Sequence, residues 1–386
     1  MSQIALPAVF MRGGTSKGLF FHRRDLPAER AEWDALFLAA LGSPDPHGRQ
    51  LDGMGGGISS LSKVVAVSPS ARPGVDVDYL FGQVAVGQVQ VDYRSNCGNL
   101  TAAVGHFAVD EGLVQAADGE AALALHNENL DQRIEARFPV AGGRAVTEGG
   151  TVLDGVAGRG APIALSFLEP GGAVTGRLLP TGRAKDALDV PGAGAIEATL
   201  IDAATAVVVV RAADLGLAGV EPPAAIEGGV ALGARLEAIR RAAAAAMGLA
   251  PETASVPKVG FVSPPADAVT LSGARLAADT VDLSARVISM GRAHRALPLT
   301  AALALAAAAR IPGTLAAEAA RPTGPGAAAD APVRLGHPSG RAEVGVDLAA
   351  DNPPRLARLT VTRTARRLME GRVLVPAGRL ATLPTT

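Results

Sequence analysis

The sequence predicts an α/β (α+β) protein made of two similarly built domains. Three observations lead there. The chain has 386 residues, more than one compact core ordinarily serves. Strand-like segments rich in β-branched and aromatic residues follow one another along it, interrupted by apolar helical stretches. The two halves also share an order of strands, a glycine loop and an apolar helix: "RSNCGNLTAAVGHF" in the first, "ISMGRAHRALPLTAALALAA" in the second, with loop glycines Gly98 and Gly291 half a chain apart. The stretch "LLPTGRAKDAL" marks the crossing, giving domains 1–183 and 184–386.

The elements follow in order. "IALPAVFM" and "GLFF" read as strands joined by the glycine turn "RGGTSKG". "AERAEWDALFLAALG" places Trp33, Leu36, Phe37 and Ala40 on one helical face, with Gly42 as its stop. "DPHGRQLDGMGGGISS" is a loop, "LSKVVAVSPS" a strand, and "VDVDYLFGQVAVGQVQVDY" a hairpin turning near Gly87. "NLTAAVGHFAVDEGLV" is helical, and mostly β segments run on to about residue 180. In the second half come a long helix near 231–248, strands "PKVGFVS" and "VDLSARVISMG", and a buried helix over Ala296–Ala309. A low-complexity loop, "RPTGPGAAADAP", precedes the hairpin "VRLGHPSGRAEVGVDL".

Composition excludes several function classes. Lys and Arg total 36 against 37 Asp and Glu, and no long basic run occurs, so no nucleic-acid partner is expected. The longest apolar stretch, Ala296–Ala309, is shorter than the roughly 20 residues of a spanning helix. No membrane partner is expected. The N-terminus shows no secretory signal, which points to the cytoplasm. With one cysteine, Cys97, an internal disulfide is excluded. No His, Cys, Asp and Glu cluster has metal-ligand spacing, and no G-x-G-x-x-G follows a strand, so neither metal nor dinucleotide cofactor is expected.

Four stretches can carry chemistry. If the helix begins near Asn99, Cys97 sits beside unpaired N–H groups and the positive end of the helix dipole, which stabilise a thiolate or bind a carboxylate. The alternative is a small buried hydrophobe. Strand alternation sets Lys63 on the face of Leu61 and Val65. Desolvation there would lower its pKa and make it a base for a C–H proton; the alternative is an edge-strand lysine with its amine in water. "MRGGTSKG" supplies glycines, two hydroxyls, Arg12 and Lys17 for an anion, without P-loop spacing. "MGRAHRA" offers backbone N–H groups at a helix start, with Arg292, His294 and Arg295 nearby; the alternative is solvated helix-end charge.

Together, "MRGGTSKG", "DGMGGGISSLSKV", "DYLFGQV", "SNCGN", "LLPTG", "MGRAHRA", "IPGT", "GHPSG" and "RTARRLMEG" resemble, in the same order from residue 9 to about 374, the PrpF family of 2-methylaconitate cis-trans isomerases. Related enzymes include 4-oxalomesaconate tautomerase and aconitate delta-isomerase. The resemblance implies the diaminopimelate epimerase fold: two similar domains, each a β-sheet curled round a central helix, with the active site between them. It also implies that Lys63 and Cys97 are catalytic. Substrate carboxylates would be held by Arg12, Gly14, Thr15, Ser16, Lys17, Gly56, Ser59, Ser60, Asn96, Gly98 and Asn99 in the first half, and by Met290, Gly291, Arg292 and His294 in the second.

Epimerases of this fold use a cysteine from each domain, and here the second-half loop carries none, so two-thiol racemization is not expected. The activity implied is isomerization of an unsaturated tricarboxylate by allylic proton transfer, without cofactor, with Lys63 and Cys97 sharing the base and acid roles in an order left open. The partner is a small unsaturated di- or tricarboxylate, and a homodimer is allowed. Keto-enol tautomerization of an oxalomesaconate-like acid, and a non-catalytic tricarboxylate-binding accessory of a dehydratase, are the competing readings. Family members often show "MGKLHHAM" where this chain has "MGRAHRAL", so Arg295 adds a cation beside the motif.

Overall fold

The computed structural model describes residues 2–321, 331–349, 354–380 and 382–383. The chain forms two compact units, Met1–Leu165 with Thr362–Thr386, and Ser166–Val361. The sequence reading places one boundary at 183/184; here the first division comes earlier and the C-terminus rejoins the first unit. The reason is backbone pairing, which local sequence does not reveal: strand Ala365–Pro376 runs antiparallel to Gln3–Gly13 along its whole length. The expected loop "RPTGPGAAADAP" lies mostly outside the described residues.

In the first unit, β1 (Gln3–Gly13) and β2 (Ser16–His22) form a hairpin whose turn is only Gly14–Thr15, tighter than the seven-letter turn read from sequence. Helix α1 (Trp33–Leu41) ends at Gly42, whose N–H bonds back to the Ala39 carbonyl. β3 (Lys63–Pro69) lies parallel to β2, β4 (Val77–Val84) antiparallel to β3, and the short β5 (Val91–Asp92) folds back on Gln83 and Val84. Then come α2 (Gly98–Asp110), β6 (Gly119–Asn127) parallel to β4, and β7 (Gln132–Ala141) antiparallel to β6.

The sheet has a helix on each face. Leu19, Phe21, Val64 and Ala66 share a core with Trp33, Leu36 and Phe37 of α1. On the other face Phe20 meets Phe107 of α2, with ring centroids 5.6 Å apart. Every residue of α2 from Gly98 to Val109 is buried, which explains why its sequence is apolar nearly all round rather than striped. A buried Phe107 alone is worth about 1.5–3 kcal/mol over an exposed one.

The second unit repeats this order. β8 (Gly194–Asp202) and β9 (Ala206–Arg211) pair antiparallel, α3 (Val230–Ala246) follows, and β10 (Lys258–Ser263) returns parallel to β9. β11 (Leu283–Ser289) is antiparallel to β10, and the short β12 (Arg292–Ala293) folds back on it. After α4 (Leu299–Arg310), β13 (Val333–His337) runs parallel to β11 and β14 (Gly340–Ala349) antiparallel to β13. α3 packs its Leu236, Ile239 and Ala243 on Val208, Val210, Val259 and Phe261. α4, buried from Leu299 to Ala308, is the central helix. The doubling faintly visible in the sequence is thus complete in topology, each parallel strand pair being bridged by a helix.

Candidate active site

The first unit gathers most of the expected residues around one point. Lys63 opens β3, and Val64 and Ala66 turn into the α1 core, so Lys63, Val65 and Val67 face the α2 side. Its ammonium group is buried and donates to Gln83 Oε1 at 2.5 Å, a residue opposite it in the β3–β4 ladder. Its Nζ also stands 4.9 Å from the Phe81 ring centre. Gln83 in turn donates to the carbonyls of Ser62 (2.9 Å) and Ser59 (3.1 Å), so the serine loop fixes the amide that fixes the lysine. Burial drives the Lys63 pKa below its ordinary value, against an opposing electrostatic pull from Cys97.

Cys97 is the N-cap residue of α2, half-buried, as the sequence reading places it within a residue or two. Its carbonyl accepts from the Thr101 N–H (3.0 Å) and Thr101 Oγ1 (3.2 Å), while its sulfur lies 3.9 Å from Ser16 Oγ at the β1–β2 turn. Asn96 donates to the buried Tyr79 hydroxyl at 3.0 Å, and Tyr79 shares a 2.8 Å bond with Thr101 Oγ1. Burial raises the Tyr79 pKa, keeping the phenol neutral. Asn96 Oδ1, by contrast, is buried with no hydrogen-bond partner.

The β1–β2 turn is locked onto α2. Asn99 Nδ2 donates to Thr15 Oγ1 at 3.0 Å, and a Cβ on Gly14 would come within 2.3 Å of Asn99 Oδ1. Gly14 also holds φ of +48°, so only glycine suits it. Gly14→Ala should lower kcat/KM by about tenfold and stability by about 1 kcal/mol. Steady-state rates and a melting curve check this, and wild-type values in both would show that the turn does not set the site.

Arg12 Nη1 donates to the carbonyls of Gly14 (3.0 Å) and Thr364 (2.9 Å) and to Thr364 Oγ1 (3.1 Å), so its guanidinium braces its own turn. Lys17 lies 5.5 Å from the Phe10 ring centre. Gly56, Ser59 and Ser60 sit in the loop before β3, where a Cβ on Gly56 would strike Leu61. That loop is anchored by buried Gln50, which donates to Ser43 Oγ (2.8 Å) and Ser62 Oγ (2.7 Å) and accepts from the Gly57 N–H (2.9 Å). Gln50 and Gln83 escaped the sequence reading. Only the strand register, with Gln83 level with Lys63, could have revealed the second.

In the second unit the "MGRAH" stretch is not a helix start. Met290 and Gly291 both have positive φ and make the tight turn between β11 and β12, and α4 begins only at Leu299, with Pro298 at its N-cap position. Two residues of positive φ give the turn a twist that suits a hairpin, which outweighs the apolar signal read as a helix. Arg292 is largely exposed and pairs with Glu227 at 3.3 Å, the His294 N–H bonds the Val287 carbonyl at 3.0 Å, and Arg295 is exposed. Met290, Gly291 and Arg292 line a cavity of about 130 Å³ with Glu227, Glu237 and Arg240. Among the described residues no helix is long and apolar enough to cross a membrane, and no group of three metal-ligating side chains occurs.

A family model described as "PrpF protein" matches residues 3–376. The 2-methyl-aconitate isomerase of Shewanella oneidensis is 42% identical over 393 residues, covering 97% of this chain and 98% of its own. The (4E)-oxalomesaconate Delta-isomerase of a Novosphingobium strain is also 42% identical, over 371 residues, covering 96% and 97%. A crystal structure of methylitaconate-delta-isomerase aligns with a TM-score of 0.79 at 38% identity, covering 98% of each chain. A probable proline racemase from Agrobacterium radiobacter aligns at 0.54 and 15% identity, covering 95% of this chain and 92% of that one; this is a likeness of fold.

Proposed function

We propose that this chain, which belongs to the PrpF family, isomerizes unsaturated tricarboxylates by moving an allylic proton between Lys63 and Cys97. The observation that carries the reading is the pairing of a buried lysine with lowered basicity and a thiol at a helix N-terminus. Isomers have one composition and one oxidation state, so proton transfer alone accounts for the reaction.

Lys63, deprived of water, uses the lone pair of its neutral amine to take the proton from the allylic carbon. The electron pair left behind spreads through the double bond into the adjoining carboxylate, giving a dienolate. Negative charge growing there is stabilised by N–H groups of the first turn of α2 and by the β1–β2 turn. Rotation about the loosened bond, or protonation at another carbon, sets the product. The Cys97 S–H delivers that proton, and the resulting thiolate recovers one from the neighbouring Lys63 ammonium, restoring both groups. Asn99, Thr15 and Ser16 set the donors around the sulfur; Gln83 orients the amine.

Relatives named for 2-methyl-aconitate and for oxalomesaconate are equally similar, so candidate acids are best compared side by side. A proton NMR time course in D2O with 2-methylaconitate, cis-aconitate, trans-aconitate and oxalomesaconate is expected to show interconversion and deuterium uptake for at least one tricarboxylate. Turnover of oxalomesaconate alone would favour the tautomerase reading. Binding without turnover of any acid would favour the accessory-protein reading.

A further inference from the structure

The motif "RTARRLMEG", which the proposed reaction leaves without a role, opens on a buried arginine. Arg363 is 6% exposed, and among the described residues its guanidinium makes one hydrogen bond, from Nη1 to the carbonyl of its own neighbour Thr362 at 2.8 Å. No carboxylate among those residues offsets its loss of water. A guanidinium carries five N–H donors, and Arg240, equally buried, shows how this chain ordinarily meets them: it bonds both carboxylate oxygens of Glu237, at 2.6 and 2.7 Å, and the carbonyl of Thr253 at 2.7 Å. A charge taken out of water without such partners costs free energy. Burial lowers the Arg363 pKa to about 10, so the group is still a cation at neutral pH.

Strand register sets this cation beside the reacting groups of the first unit. Gly13 pairs with Ala365 and Met11 with Arg367, and residues paired in this way share a face. A Cβ on Gly13 would strike the backbone of Asn99 and Leu100, so that face looks onto α2. Along it Arg367 reaches Glu111 at the C-cap of α2, and Ala365 lies level with the first turn of the helix. Thr364 turns the other way: its hydroxyl accepts from Arg12, and its carbonyl accepts from the Gly14 N–H at 2.9 Å. Alternation then returns Arg363 to the α2 face, about 7 Å beyond Ala365. That is past the helix N-terminus, where Cys97 sits, and alongside the turn whose Ser16 contacts the sulfur.

From this placement we infer that Arg363 binds one carboxylate of the substrate through the unbonded edge of its guanidinium. The inference rests on the proposed function for the ligand class, an unsaturated di- or tricarboxylate, and deepens it by naming a cation that holds the acid while Lys63 and Cys97 move its proton. Two parallel N–H groups of a guanidinium match the two oxygens of a carboxylate, and the bound acid supplies the counter-charge that the fold itself does not. Arg363 is a binding residue and takes no part in proton transfer.

The test is calorimetric titration of the full chain with tricarballylate, a saturated tricarboxylate with no double bond to shift, alongside melting curves and steady-state kinetics on whichever acid the wild type converts. Arg363→Met should weaken tricarballylate binding by about 10- to 100-fold, the scale of one charge-assisted pair, and should raise KM more than it lowers kcat. The ligand-free variant should melt no lower than the wild type, because a buried charge without a partner has gone. A residue that only braced its strand would do the opposite, lowering the melting temperature and leaving Kd unchanged. Arg363→Lys keeps the charge without the fork and should recover part of the affinity. Unchanged affinity in a folded Arg363→Met protein, or no binding of tricarballylate by the wild type, overturns the inference. Should Arg363→Met not fold, Arg363→Lys decides: a several-fold weaker Kd than wild type supports the site and an unchanged one overturns it. Wild-type binding that depends on Arg363 without turnover of any acid would refute the isomerase reading and leave this site standing. Turnover with a KM and Kd indifferent to Arg363 would do the reverse.

Discussion

Lys63→Met is expected to lower kcat by about 10²- to 10⁴-fold, the span that a positioned general base contributes, while the protein becomes more stable. Both effects have one cause. Lys63 is buried between Phe81 and Gln83, and desolvation depresses its pKa below 10.5. The folded state therefore binds its proton less tightly than the unfolded state. Stability lost to this group is lost in full below the folded pKa and is regained as pH rises towards 10.5. Methionine has similar length and no charge, so at neutral pH it should add about 1 kcal/mol and raise the melting temperature by about 2 °C. Differential scanning calorimetry at pH 7 and pH 10 checks the sign, since the gain should shrink at the higher pH. In the wild type, kcat/KM should climb with pH along a limb whose midpoint lies below 10.5. A variant both inactive and less stable would mean that the lysine holds the fold rather than the chemistry.

Cys97→Ala is expected to lower turnover by about 10²- to 10⁴-fold as well, yet with a different isotopic signature. If Lys63 removes the proton and Cys97 returns one, the alanine variant still forms the dienolate and lets Lys63 exchange its proton with solvent. Deuterium should then enter unreacted substrate in D2O while product formation lags, whereas Lys63→Met loses exchange and turnover together. Proton NMR of recovered substrate separates the two. Exchange abolished in Cys97→Ala but kept in Lys63→Met would reverse the assignment of base and acid.

These expectations rest on features the sequence showed to very different degrees. Helices α1 and α2 were legible because their signals are local: the Trp33–Leu36–Phe37–Ala40 face with Gly42 behind it, and the near-continuous apolar run after Cys97. Lys63 stood out because strand alternation set a charge among apolar residues. Position along a strand or at a helix start depends on a few adjacent residues, which one sequence contains.

Tertiary structure alone decided what those residues touch. Gln83 meets Lys63 because β3 and β4 pair in one register, and a shift by one residue would send that amide to the opposite face. Arg12 is tied through Nη1 to Thr364, a partner far along the chain that no local pattern names. "MGRAH" was read as a helix start because its apolar continuation is one, yet positive φ at Met290 and Gly291 makes it a hairpin turn. By itself the sequence determined the helices, the strand carrying Lys63 and the thiol at a helix start, because propensity and periodicity act within a few residues. Register, long-range pairing and the equivalence of the two units belong to the folded chain, because backbone hydrogen bonds join residues that the sequence keeps far apart.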